Sequence, residues 1–215
     1  MYKALLFDLD GTVSETDSLH HPAWAEMLAP RGYDVDWSFY EKNISGRLNP
    51  DIAAEFMPDL SEEERRRVVE EKEVDFRSRV HTLEATPGLH EIIARGKASD
   101  MSIALVTNAP KPNALAVMDA LGLEADFDRI FLAEDAGAGK PDPAPYLMAL
   151  DILGLPPTDA IAFEDSTSGI KSATAAGIPT VGIASTHAPE TLEKVGAFAA
   201  FRDFTDPGLT PAVFG

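Results

Sequence analysis

Short apolar runs and longer helical patterns alternate along most of this chain. The runs are KALLFDLD (3–10), SIALVTNA (102–109), RIFLAED (129–135), AIAFEDS (160–166) and TVGIAS (180–185). Between them lie GLHEIIARGK, PNALAVMDALGL, PAPYLMALDILGL and SGIKSATAAG, whose apolar positions recur at helical spacing. Strands that alternate with helices, and that are apolar on both sides, predict a Rossmann-like parallel α/β sheet with helices on both faces. Gly122, Gly154 and Gly177 each follow an apolar helical pattern, where a left-handed cap belongs.

One region departs from this alternation. From about Thr16 to Ala85 the pattern is helical and contains no convincing strand. Leu19, Ala23 and Met27, with Trp24 and Leu28 beside them, form an apolar helix face. Ser61 and Glu64 have the spacing of a capping box that opens a long charged helix, EEERRRVVEEKEVDFRSRV. The expected organisation is a Rossmann-like core over 1–15 and 86–215, interrupted by an all-helical cap domain over 16–85.

Composition narrows the function classes. The chain has 215 residues, enough for a core with one sizeable insertion, and carries 36 Asp plus Glu against 18 Lys plus Arg, a formal net charge of −18. Such a surface repels nucleic acid and anionic membranes, so neither is expected as a partner. An anionic substrate needs a local positive site or a metal. Cysteine is absent, which excludes disulfides, thiolate metal sites and cysteine nucleophiles. The start, MYKALLFDLD, turns acidic too soon for a signal peptide, and no apolar run approaches the length of a membrane span. A soluble cytoplasmic protein, monomeric or homodimeric, is the expectation by elimination.

Chemistry gathers where the runs end. Ligands of open parallel sheets bind beyond the carboxyl ends of the strands. Those ends carry Asp8 and Asp10, then Thr107 and Asn108, then Lys140, then Glu164 and Asp165. Taken singly, such residues are ordinary sheet formers and surface charges. Together at one sheet edge they fit a phosphoryl group. Asp8, Asp10 and Asp165 are oxygen ligands of the kind Mg²⁺ takes, and the metal would relieve repulsion between the acids. Thr107 and Lys140 suit phosphate oxygens, and a carboxylate can attack phosphorus once that charge is neutralised.

The segments FDLDGT, VTN, GKPDP and FEDSTSG resemble, in order and spacing, the four motifs of the haloacid dehalogenase-like hydrolase superfamily. The likeness covers nearly the whole chain. The position of the helical insert is similar to that in the branch containing phosphoglycolate phosphatase and beta-phosphoglucomutase. The resemblance implies that Asp8 is the nucleophile. Asp10 would be the general acid/base and bind metal through its main-chain carbonyl. Thr107 and Lys140 would bind phosphate, and Asp165 would be a metal ligand with Glu164 beside it. In the cap, LHHPAW resembles a mutase-branch segment in which a histidine meets substrate, the position of His20; Trp24, one turn on, reads as core. ISGR resembles a substrate-holding loop whose only cation is Arg47. Lys72 and Arg77 read as surface charges.

Several activities remain to be weighed. Dehalogenases of the superfamily lack the second aspartate, which is present here as Asp10. No lysine lies between Lys3 and Lys42 to serve a Schiff-base phosphonatase. The stretch TNAPKPN, with Asn108, looks more like a phosphatase than a mutase, although Lys111 keeps a beta-phosphoglucomutase-like reaction open. Phospho-accepting receiver modules share acids, Thr and Lys at a sheet edge, but they are about half this length and have no insert. The expected activity is a Mg²⁺-dependent phosphatase acting on a small phosphorylated metabolite, a sugar phosphate or a phosphoglycolate-like ester.

Overall fold

A computed structural model describes all residues, Met1–Gly215. Six strands, β1 (Ala4–Phe7), β2 (Ser102–Thr107), β3 (Arg129–Leu132), β4 (Ala160–Glu164), β5 (Thr180–Ile183) and β6 (Ala199–Phe201), form one sheet in the order β3-β2-β1-β4-β5-β6. Every pairing is parallel. The central strand β1 is therefore flanked by β2 and β4, and the chain switches direction beside it. This is where an open parallel sheet offers a crevice at its carboxyl edge.

Alternation along the strands sorts the core into two layers. Leu5, Phe7, Ile103, Leu105, Ile161 and Phe163 face one side, with Phe7 stacked on Phe163 at 4.7 Å. Ala4, Leu6, Ala104, Val106, Ala160 and Ala162 face the other. The insert contributes α1 (Asp17–Leu28), α2 (Trp37–Asn43), α3 (Asn49–Phe56) and α4 (Glu62–Arg79). The remaining helices are α5 (Leu89–Ala98), α6 (Lys111–Ala120), α7 (Ala133–Ala136), α8 (Ala144–Leu153), α9 (Thr167–Ala175), α10 (Pro189–Lys194) and α11 (Leu209–Phe214). Leucines, isoleucines and valines of α5, α6 and α11 cover the aromatic-bearing face. On the alanine-rich face, Tyr146, Ala149 and Leu150 of α8 and Ala173 of α9 pack down closely. Gly122, Gly154 and Gly177 have left-handed backbones at their helix ends, as expected.

The helical insert has its own apolar cluster, centred on Trp24, Leu28, Tyr40, Ile52 and Phe56. The capping box at Ser61 is present: its Oγ accepts the Glu64 N–H, and the Glu64 carboxylate accepts the Ser61 N–H at 2.8 Å. Phe76 near the end of α4, and Val80 just past it, belong to the core's cluster instead and anchor the insert. The two connections run side by side: Thr86 N–H donates to the Val13 carbonyl at 2.9 Å, and the Ser14 hydroxyl to the Glu84 carbonyl at 2.8 Å. β6, α10 and α11 lie in a stretch where the apolar pattern predicts no element.

Candidate active site

Asp8 is the first residue past β1, and its N–H still donates to the Phe163 carbonyl at 3.0 Å, so the sheet fixes its backbone. The chain then turns sharply through Gly11, at φ +79°. A side chain on Gly11 would collide with the Asp165 carboxylate, so both the turn and the close approach require glycine. Asp8 Oδ1 accepts from Lys140 Nζ at 2.6 Å. The same ammonium donates to Glu164 Oε1 at 2.5 Å and to the Val106 carbonyl at 2.8 Å. Tyr146 also donates its hydroxyl to Glu164 Oε1, at 2.5 Å.

Carboxylate oxygens of Asp8, Glu164 and Asp165 all lie within 4.8 Å of one another, and all three residues are buried. Burial, with the Asp8 charge adding to it, pushes the Asp165 carboxyl well above the ordinary range. Burial raises Glu164 too, against the opposing pull of Lys140. Lys140 loses solvation, yet Asp8 and Glu164 outweigh that loss and hold its pKa above the usual lysine value. One ammonium serves two of the three acids, and Glu164 Oε2 has no hydrogen-bond partner. An all-oxygen, net-negative cluster with a spare acceptor fits a hard divalent cation.

Asp10 stands apart from this triad. Its Oδ1 accepts from Thr16 Oγ1 at 2.6 Å, and its side chain borders the cavity. Enclosure, then the neighbouring Asp8 charge, raise its pKa to about 7. Near neutral pH such a group can both give and take a proton. Thr107 is buried, its Oγ1 accepting the Ala109 N–H at 2.9 Å. Asn108 pins the lysine loop: Oδ1 accepts the Lys140 N–H at 2.9 Å, and Nδ2 donates to the Lys140 and Gly46 carbonyls, each at 3.2 Å.

Above this floor the insert closes a cavity of about 380 Å³. Asp8, Asp10, Asn108, Lys140 and Asp165 line it from below, and His20 and Arg47 from above. Thr107 and Glu164 sit just behind the lining. The His20 ring stacks on Phe76 at 4.0 Å, and its Nε2 lies 4.0 Å from Asp10 Oδ1. Burial, assisted by the Lys72 charge, keeps its pKa well below the ordinary histidine value. Arg47 is engaged by Glu55 at 2.7 Å and by the Asn43 carbonyl at 2.7 Å.

One sequence expectation is corrected here. Lys72 is no surface charge: it is buried in the cavity wall, 2.5 Å from Glu73 Oε1, with Nζ 5.0 Å above the Trp24 ring. Trp24 is core as expected and also borders the cavity. Arg77 is half-buried and donates to Glu70 and, at 2.9 Å, to Oδ1 of Asn113, which borders the cavity; Arg77 does not line the cavity itself.

Other residues had no sequence signal. Thr186 donates to Asp165 Oδ2 at 2.6 Å. Tyr40 donates to Asp17 Oδ1 at 2.7 Å, and burial raises the Asp17 carboxyl to about 6. Glu73 also accepts from Asn49 at 2.6 Å and from Asn113 of α6.

The sequence profile described as haloacid dehalogenase-like hydrolase matches residues 5–183, which spans the sheet from β1 to β5 and the whole insert. The chain belongs to the haloacid dehalogenase-like hydrolases. Protein CbbY of Rhodobacter capsulatus is 34% identical over 201 residues, covering 83% of this chain and 84% of the relative. Validoxylamine A 7'-phosphate phosphatase of Streptomyces hygroscopicus subsp. limoneus is 32% identical over 211 residues, covering 96% of each. The solved beta-phosphoglucomutase of Clostridium difficile superposes with a TM-score of 0.86 at 27% identity, covering 99% of this chain and 96% of that one. This haloacid dehalogenase-like hydrolase is thus an enzyme of the phosphoglycolate phosphatase and beta-phosphoglucomutase type, and its phosphatase relative supports phosphoric monoester hydrolysis. No helix in it is long and apolar enough to cross a membrane.

Proposed function

We propose that this hydrolase is a Mg²⁺-dependent phosphatase that cleaves a small phosphorylated metabolite through an aspartyl-phosphate on Asp8. The carrying observation is the floor of the cavity, where Asp8 lies 2.6 Å from the Lys140 ammonium and within 4.8 Å of the Glu164 and Asp165 oxygens. Mg²⁺ held by Asp8, Asp165, Glu164 and the Asp10 main chain would neutralise these acids and the phosphoryl oxygens. Asp8 attacks phosphorus, and the ester oxygen leaves with a proton from Asp10. Water then cleaves the acyl phosphate, giving its proton to Asp10 and restoring Asp8. A pKa of about 7 suits Asp10 to both steps. Lys140 and Thr107 hold phosphoryl oxygens, and Asn108 keeps the lysine loop in place. His20 and Arg47 meet the leaving group from the cap, which acts as a lid.

Likeness to beta-phosphoglucomutase supports a second reading, in which the phosphoryl group returns to a sugar hydroxyl. One experiment separates the two. Incubation with Mg²⁺ and a panel of sugar phosphates should release inorganic phosphate, and chelator should abolish the release. Interconversion of sugar 1- and 6-phosphates without phosphate release would instead favour the mutase. Full activity in chelator would overturn the metal assignment.

A further inference from the structure

A lysine ammonium has three N–H donors, and Lys140 has all three engaged. They go to Asp8 Oδ1 at 2.6 Å, Glu164 Oε1 at 2.5 Å and the Val106 carbonyl at 2.8 Å. To hold a phosphoryl oxygen as well, the lysine must release one of these acceptors. Its two carboxylate partners differ in what a release would leave behind. Asp8 Oδ1 accepts from no other donor, whereas Glu164 Oε1 also accepts from the Tyr146 hydroxyl at 2.5 Å.

Glu164 is fully buried, so a carboxylate oxygen stripped of its donors there carries a full desolvation cost. Its Oε2 is already without a partner. A side chain on Gly169 would collide with that oxygen, so the carboxylate lies hard against α9 and has little room to seek a new donor. Tyr146 belongs to the same segment as the lysine and stands in the first turn of α8. It is fully buried in the cluster that holds Ala104, Ala160 and Ala162, where small sheet residues admit an aromatic ring. Lys140 Nζ lies 5.3 Å from the centre of that ring, a cation–π distance. One side chain therefore touches both members of the ion pair, yet it is not among the residues lining the cavity and does not reach substrate.

We propose that Tyr146 is a positioning residue for phosphoryl binding, whose hydroxyl holds Glu164 in place while the Lys140 ammonium turns from that carboxylate to a phosphoryl oxygen. This rests on the phosphatase reading and deepens it. Glu164 keeps a donor throughout, and Lys140 keeps Asp8 beside the reacting phosphorus. Without the hydroxyl, the lysine's turn would leave Glu164 with no donor, and the phosphoryl group would have to bind against that loss.

The test uses Tyr146→Phe and calorimetric titration, first with Mg²⁺ alone and then with orthovanadate at saturating Mg²⁺. Mg²⁺ alone should bind within about threefold of wild type, because Lys140 stays on Glu164 when no phosphoryl group is present. Vanadate should bind about tenfold more weakly, the scale of one hydrogen bond to a charged group. The KM for para-nitrophenyl phosphate at saturating Mg²⁺ should rise by a similar factor. Its kcat should change by less than about threefold, since the lysine is turned in ground and transition state alike. Tyr146→Met also lacks the hydroxyl and adapts to the space, so it carries the test if the phenylalanine variant does not fold. Either vanadate affinity or KM at the wild-type value in a folded variant would overturn this inference and leave the phosphatase standing. So would an equal weakening of Mg²⁺ alone, which would make Tyr146 a support of the metal ligand only. No phosphate release from para-nitrophenyl phosphate by the wild-type enzyme would overturn the phosphatase and the inference together.

Discussion

The floor and the wall of the cavity both carry acids and cations, but pair them differently. On the floor, the Lys140 ammonium pairs with Asp8 and Glu164, and Asp165 adds a third carboxylate whose oxygen lies within 4.8 Å of theirs. On the wall, Lys72 has Glu73 and Arg47 has Glu55. Excess negative charge in a buried cluster is costly unless protonation or a bound cation relieves it. The floor thus carries the surplus of acid that a cation and a phosphoryl group would relieve, whereas each of the two cations on the wall already has a carboxylate partner.

If the floor alone does the chemistry, its changes should be far larger than any on the wall. Asp8→Asn should lower kcat by about a thousandfold or more, the scale for losing a covalent nucleophile. The amide still accepts from Lys140, so the folded structure should persist by circular dichroism. Asp10→Asn should cost about a hundredfold or more through lost proton transfer. Appreciable turnover by the Asp8 variant would break the comparison at its root.

Much of the floor was legible because strand grammar and strand-end chemistry coincide. Apolar runs marked five strands, and the polar residues that end each run gather at one edge of the sheet. β6 escaped because Ala199–Phe201 is three residues long and lies at the sheet margin, paired only with β5. The wall was less legible for a different reason. α4 is charged on nearly every face, so periodicity cannot tell that Lys72 and Glu73 point inward while Glu70 and Glu71 face water. The Glu73–Asn113 contact joins positions 40 residues apart, and only the docking of the insert on α6 creates it.

Substrate dependence sharpens the same contrast at intermediate size. Lys140→Ala should reduce kcat/KM about a hundredfold for a sugar phosphate and for para-nitrophenyl phosphate alike, because both present one phosphoryl group. His20→Ala and Arg47→Ala should fall about tenfold on the sugar ester and much less on the generic one. Equal losses on both esters would assign these two residues to structure, and recognition would pass to others on the wall.

A smaller effect is expected where the two regions meet. Thr186 donates to Asp165 Oδ2 at 2.6 Å and approaches Asp17 of the insert at 3.5 Å. Orienting a metal-ligating carboxylate in this way is typically worth about tenfold in metal affinity. Thr186→Val should therefore raise the Mg²⁺ concentration for half-maximal activity about tenfold, with kcat at saturating metal little changed. An unaltered Mg²⁺ dependence would remove Thr186 from the support of the floor.

The smallest expected change tests whether the wall's helices are separable from the floor. Ser61 caps α4 far from the cavity, at the opposite end of the helix from the buried Phe76. Ser61→Ala removes an acceptor for the Glu64 N–H and should cost about 1 kcal/mol of stability. In a chain of this size that corresponds to a fall in Tm of about 2–4 °C. Phe76 and Val80 tie the same helix to the core cluster, so the loss should appear in the single unfolding transition of the whole molecule. Activity on para-nitrophenyl phosphate at 25 °C should stay at the wild-type level, since no floor residue moves. An early, separate melting step would show that the insert unfolds alone, as a lid held loosely on the floor.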